Sequence, residues 1–90
     1  MENYQLTTEQ IDNMQHAIGY KPYNVVDGVL EYYRNYYDCE DNKGWNDLVE
    51  KGLATKREDI FCAGYYVYSL TSNGIDVLSK ICKCKFVERR

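Results

Sequence analysis

Apolar residues at Ile11, Met14, Ala17 and Ile18 recur at three- and four-residue steps, the period of a helix with one buried stripe. The opposite face carries Glu9, Asp12, Asn13 and Gln15. Thr7 and Gln10 have the spacing of a capping box, and Leu6 stands where it can pack on Ile11. A first helix is therefore expected over 6–18, closed by Gly19. The connector 20–24 holds the only proline, Pro22. Val26, Val29, Leu30 and Tyr33 return to helical spacing, which predicts a short helix near 24–31. The crowding of Tyr32, Tyr33, Tyr36 and Tyr37 predicts a strand near 33–38.

Past the turn 41–44, Trp45, Leu48 and Val49 share one side of a helix over 45–51, with Asn42 as its cap. Gly52 stands where a left-handed residue ends a helix, so it should have positive φ. Residues 54–57 and 65–70 read as strands paired antiparallel around a turn region at 58–64. Thr71 caps a closing helix over 72–82. Leu48, Leu53, Leu70, Ile75 and Leu78 are the expected core. Residues 80–90 read as a basic, frayed tail.

This order, helix, Gly52-Leu53, strand, turn, strand, Leu70-Thr71-x-x-Gly74, helix, resembles the wing region of winged-helix proteins. The fold expected is α+β and winged-helix-like, one domain over 1–90. It has three or four helices and a small antiparallel sheet, a two- to three-stranded wing. A narrower likeness rests on His16-Ala17-Ile18-Gly19, Arg34-Asn35-Tyr36-Tyr37, Trp45-x-x-Leu48-Val49-x-x-Gly52-Leu53 and Leu70-Thr71-x-x-Gly74. These resemble small phage and prophage proteins. In that group Leu is commoner at the place of Ile18, and 25–31 looks like an insertion. The resemblance implies a mobile-element origin and no particular activity.

Composition then narrows the function. In 90 residues there are ten tyrosines, two phenylalanines and one tryptophan. A core of this size cannot hide ten phenol hydroxyls with partners, so several tyrosines should be exposed. The net charge of -3 is unevenly spread. Residues 1–55 carry ten acids and four bases, and residues 56–90 carry four acids and seven bases. Asp38, Glu40, Asp41, Asp47 and Glu50 form the acidic concentration, and Lys80, Lys83, Lys85, Arg89 and Arg90 the basic end. No apolar run is long enough to span a membrane. Residues 1–5 have no basic and apolar leader, so a cytoplasmic protein of the host cell is expected. Cys39 and Cys62 stand alone and should be small buried groups. Cys82 and Cys84 are one residue apart, a poor match to paired zinc ligands, so no metal and no cofactor is expected.

Catalysis needs groups of matched roles, and the chain offers one histidine, His16, at a helix end. No phosphate loop and no nucleophile–base pair occurs. The expected activity is therefore non-enzymatic binding. The first class is protein binding through Asp38, Glu40, Asp41, Trp45, Asp47 and Glu50, with a host or phage protein as partner. Inhibitors of host enzymes or defence systems share this size and charge. The second class is a winged-helix DNA-binding regulator, using Lys56, Arg57, Lys80, Lys83 and Lys85. Five carboxylates on and before the presumptive reading helix oppose phosphate contact. A homodimer through the first or closing helix is compatible with both.

Overall fold

The computed structural model describes residues 5–89 of the chain. Residues 1–4 of the leader reading over 1–5, and Arg90 of the basic end, lie outside these residues. Thr7 begins helix α1, Thr8–Ile18, through the reciprocal capping box with Gln10. Leu6 and Ile11 pack against the core beside it. Gly19, at φ 71°, turns the chain out of the helix.

The segment expected as a helix over 24–31 is not one. Pro22–Asn24 makes a 3₁₀ turn, and strand β1 covers Val29–Tyr32. Between them Val26 and Val29 exchange two backbone hydrogen bonds around Asp27 and Gly28, both at positive φ. Asp-Gly with positive φ at both positions is the preferred two-residue reversal. That local turn chemistry outweighs the helical spacing of Val26, Val29 and Leu30. Strand β2 lies at Tyr37–Glu40, later than the expected 33–38.

Helix α2, Lys43–Glu50, is capped by Asn42, whose side chain accepts from the Trp45 N–H. Gly52 follows with φ 77°, as expected. Strands β3, Ala54–Glu58, and β4, Tyr65–Leu70, pair antiparallel, with Ala54 opposite Leu70 and Glu58 opposite Tyr66. β2 joins the other edge of β4, giving the order β2-β4-β3. Helix α3, Ser72–Cys82, is capped by Thr71.

The basic end is not a frayed tail as far as Arg89. Strand β5, Lys85–Glu88, pairs in parallel with β1, Val29 opposite Lys85 and Tyr32 opposite Glu88. A parallel pair requires a long crossover, and here all of β2 to α3 supplies it. Phe86 meets the Tyr20 ring edge-on at 5.9 Å. The described residues thus form an α+β fold with three α-helices, a three-stranded antiparallel sheet and a two-stranded parallel one. Among the described residues no helix is long and apolar enough to cross a membrane.

The core lies between the helices and one face of the larger sheet. Met14, Trp45, Leu48, Leu53, Tyr68 and Leu78 are fully buried. Trp45 stacks on Tyr68 at 5.3 Å, and Tyr37 leans on it at 5.5 Å. The buried Tyr68 hydroxyl donates to Asn46 and accepts from the Asn42 N–H. Leu70 is buried and Ile75 half-buried against the cluster. Cys39 is half-buried, but Cys62 is exposed, against the expectation of a buried thiol, because it sits at the β3–β4 turn.

The segments Arg34-Asn35-Tyr36 and Leu70-Thr71 hold this fold together. Arg34 donates to the His16 carbonyl at 2.7 Å, and the Tyr36 N–H bonds the Ala17 carbonyl. The Asn35 amide exchanges two hydrogen bonds with the Leu70 backbone, prolonging the sheet past β2. Thr71 bonds the Gly52 carbonyl by its hydroxyl and the Leu53 carbonyl by its N–H. These motifs tie α1 to the β2 edge and the end of α2 to the start of α3.

Candidate functional site

The acidic residues singled out from the sequence do not form one open face. Asp41, at the end of β2, accepts from Lys56 at 2.7 Å and from Asn46 at 2.9 Å. The Lys56 ammonium lowers its pKa, and Asn46 acts in the same direction. Asp47 bonds Lys51 one turn on and the buried Gln10 amide of α1, and both lower its pKa, Lys51 most. Gln10 also donates to the Gly44 carbonyl, so Asp47 belongs to the α1–α2 joint. Trp45 is fully buried and is a core residue rather than a contact residue. Its position one helical turn before Leu48 puts it on the inner face of α2. Glu40 and Glu50 remain exposed at the ends of their elements.

The cations of the nucleic-acid alternative are likewise dispersed. Lys56 is committed to Asp41 and lies over the Tyr66 ring at 4.3 Å. Lys80 pairs with Asp76 on α3. Lys83 is the left-handed cap of α3, and Lys85 opens β5. Arg57 stands on the sheet face away from the core, in the row Asp38–Val67–Arg57 across β2, β4 and β3.

That outer row builds a site. Strand alternation sends Tyr66, Tyr68 and Leu70 inward and Val67 and Ser69 outward. Val67 is nevertheless 8% exposed, because Asp38, Arg57 and the β3–β4 turn crowd around it. They line an open groove of about 500 Å³ that Asn35, Asp59, Ile60 and Phe61 also border. At its end Ile60 and Phe61 are 83% and 93% exposed. The turn that presents them is pinned: Asp59 donates its N–H to the Tyr65 carbonyl, and its carboxylate accepts from the Phe61 N–H. Its backbone carbonyl accepts from Cys62.

Asp38 and Asp59 both border the groove and perturb each other's titration. The Asp59 carboxylate thereby raises the pKa of Asp38, whose hydrogen bond in turn lowers that of Asp59. A carboxyl with a raised folded pKa stabilises the fold at low pH and loses that contribution as pH rises through the raised value. Asp38→Asn keeps a donor toward Asp59 at every pH. Its thermal midpoint should therefore exceed that of the wild type at neutral pH, and the difference should close as pH falls through the raised Asp38 value. Equal midpoints across that range would refute the pairing.

Sequence reasoning assigned 58–64 to a turn and passed over Ile60 and Phe61. The available signal was two large apolar residues inside a segment that needs none. Among the described residues no group of three His, Cys, Asp or Glu side chains could hold a metal ion. Cys82 accepts a hydrogen bond from the Gln15 amide. Comparison with family models, with curated proteins and with solved structures returns no match.

Proposed function

We propose that this chain is a small non-enzymatic binding protein that acts on another protein through the tip of the β3–β4 hairpin. The observation that carries this is the adjacent, almost fully exposed Ile60 and Phe61 on a turn held by its own hydrogen bonds. A single exposed apolar residue is ordinary, but two on one projecting tip next to an apolar-floored groove mark a contact. An ordered tip also loses little conformational freedom on docking. Phe61 is the anchor, inserted in an apolar pocket of the partner. Asp38 and Asp59 border the same groove and favour a basic rim on that partner, which sets approach and orientation. The likeness to phage and prophage proteins directs the search to a host or phage protein, with inhibition of a host enzyme or defence system as the consequence.

A winged-helix regulator is the second reading, favoured by the strand order β2-β4-β3 with α2 just before the hairpin. Against it, β2 and the two residues Asp41 and Asn42 lead directly into α2, so α2 is not joined to a preceding helix by the short turn of a helix-turn-helix.

The test is capture of partners from nuclease-treated host lysate by the wild type and by Ile60→Ser/Phe61→Ser. Both side chains are exposed, so the double variant should keep the wild-type midpoint. We expect it to lose the captured protein, with affinity for the purified partner falling about 100-fold, as loss of a hot spot implies. Capture unchanged by the double substitution would overturn the hairpin assignment. Sequence-specific duplex binding in the nanomolar range, lost on Asn46→Ala, would favour the regulator instead.

A further inference from the structure

A second groove, on the opposite sheet pair and independent of the hairpin tip, has a different chemistry. Three connections converge on it: the α1–β1 connector with Lys21 and Tyr23, the β1–β2 connector with Tyr33 and Arg34, and Arg89 after β5. Its volume is about 790 Å³, within the range of small-ligand clefts, roughly 300–1,000 Å³. We infer that this groove binds a phosphate joined to a planar base, as in a nucleotide or a short single strand of nucleic acid.

The charge is the first support. In a chain of net charge -3, Lys21, Arg34 and Arg89 gather here, among the described residues against Glu31 alone. Among the described residues no carboxylate forms an ion pair with any of the three cations. Arg34 is positioned in advance: it donates to the His16 carbonyl at 2.7 Å, and its guanidinium lies over the Tyr36 ring at 5.7 Å. One bond to the protein leaves further N–H groups of the fork for phosphate oxygens. Arg89 is placed by the parallel pairing, since its N–H bonds the Tyr32 carbonyl at the end of β1.

The aromatic rings are the second support. Tyr23 and Tyr33 border the same groove and are 80% and 78% exposed. The 3₁₀ turn that carries Tyr23 is closed by the Asn24 and Val25 N–H groups on the Lys21 and Pro22 carbonyls. Exposed aromatic faces beside cations are the arrangement that stacks unpaired bases while the cations take the phosphates. An acidic peptide would use the cations and leave both rings wet. A base with its phosphate uses both.

The experiment is calorimetric titration of the whole chain with adenosine monophosphate, with a single strand of about ten nucleotides, with the matching duplex and with inorganic phosphate. Tyr23→Ala and Tyr33→Ala lie outside the core, so their midpoints should match the wild type. Each should weaken the nucleotide or single strand about 10-fold, in keeping with the stacking contribution of one base. Arg89→Ala should weaken both and reduce the salt dependence of the strand, whereas Lys43→Ala, exposed on α2 and away from the groove, should change neither. Saturation by the mononucleotide with no gain for the strand assigns a small ligand, and much tighter strand binding assigns a polynucleotide. Inorganic phosphate or duplex binding as tightly as the base-bearing single-stranded probes, tyrosine variants with unchanged affinity, or no saturation at millimolar nucleotide would each overturn the inference.

Discussion

Trp45→Ala should cost about 3–5 kcal/mol and lower the thermal midpoint by on the order of 20 °C. The indole is fully buried, stacked on Tyr68 and touched by Tyr37, so its loss leaves a cavity bounded by α2 and by strands β2 and β4 of the larger sheet. Those neighbours cannot close the gap freely. Tyr68 is fixed by its hydroxyl between Asn46 and the Asn42 N–H, and Tyr37 lies in the β2–β4 pairing. A domain of this length has roughly 5–13 kcal/mol of stability in all, so the substitution removes a large fraction of it. Trp45→Phe should cost less, because a ring still meets Tyr68 and because the indole N–H has no acceptor among the described residues. Leu48→Ala and Leu78→Ala, also fully buried, should fall in the same range, about 2–5 kcal/mol. A Trp45→Ala midpoint within a few degrees of wild type would mean that the Trp45–Tyr68 stack is not the centre of the core.

The three α-helices were legible because each is specified locally. Thr7, Asn42 and Thr71 are capping residues at the right distance from an apolar stripe, and Gly19 and Gly52 end their helices in the left-handed conformation. The hairpin β3–β4 was legible for the same reason, since its strands are separated by one turn. β1 and β5 were not. Their partners lie more than fifty residues apart, and neither four-residue strand carries an alternation that distinguishes it from a loop. The helical spacing of Val26, Val29 and Leu30 was a misleading signal, and the Asp27-Gly28 turn was the stronger one.

The surface was legible as charge but not as geometry. Counting acids located Asp41 and Asp47 correctly in the chain, yet whether a carboxylate is free depends on what the fold brings to it. Lys56 comes from β3 and Gln10 from α1, thirty-seven residues before Asp47. Trp45 was grouped with the acids because it is adjacent in sequence. Half a helical turn separates the inner from the outer face, and Leu48, nearly a full turn on from Trp45, lies on the same buried side. The two grooves escaped notice because each is assembled from segments distant in sequence. The cations of the larger one come from positions 21, 34 and 89.

Gly74→Ala should destabilise the protein by about 3 kcal/mol, although alanine favours a helix over glycine by about 1 kcal/mol. Gly74 lies in the first turn of α3 with an ordinary helical φ, so backbone conformation does not require glycine. Space does. A Cβ there would stand 2.0 Å from the Leu53 carbonyl oxygen and 3.0 Å from its carbon. That carbonyl cannot retreat without loss, since it accepts the Thr71 N–H at 3.0 Å, and Thr71 also holds the Gly52 carbonyl and caps the helix. Adding one methyl group therefore pushes α3 off the α2–β3 junction and loosens its cap. Gly52→Ala tests the other use of glycine. Nothing lies within 4 Å of its Cβ position, but φ is +77°, so its cost should be only the left-handed penalty of about 1–2 kcal/mol. Asn73→Ala, exposed in the same turn as Gly74, should be near neutral. Chemical denaturation of the three variants should rank them Gly74, Gly52, Asn73 from largest loss to smallest. A stabilised Gly74→Ala, as helix propensity alone requires, would show that α3 does not rest against Leu53 and that the Leu70-Thr71-x-x-Gly74 spacing has some other cause.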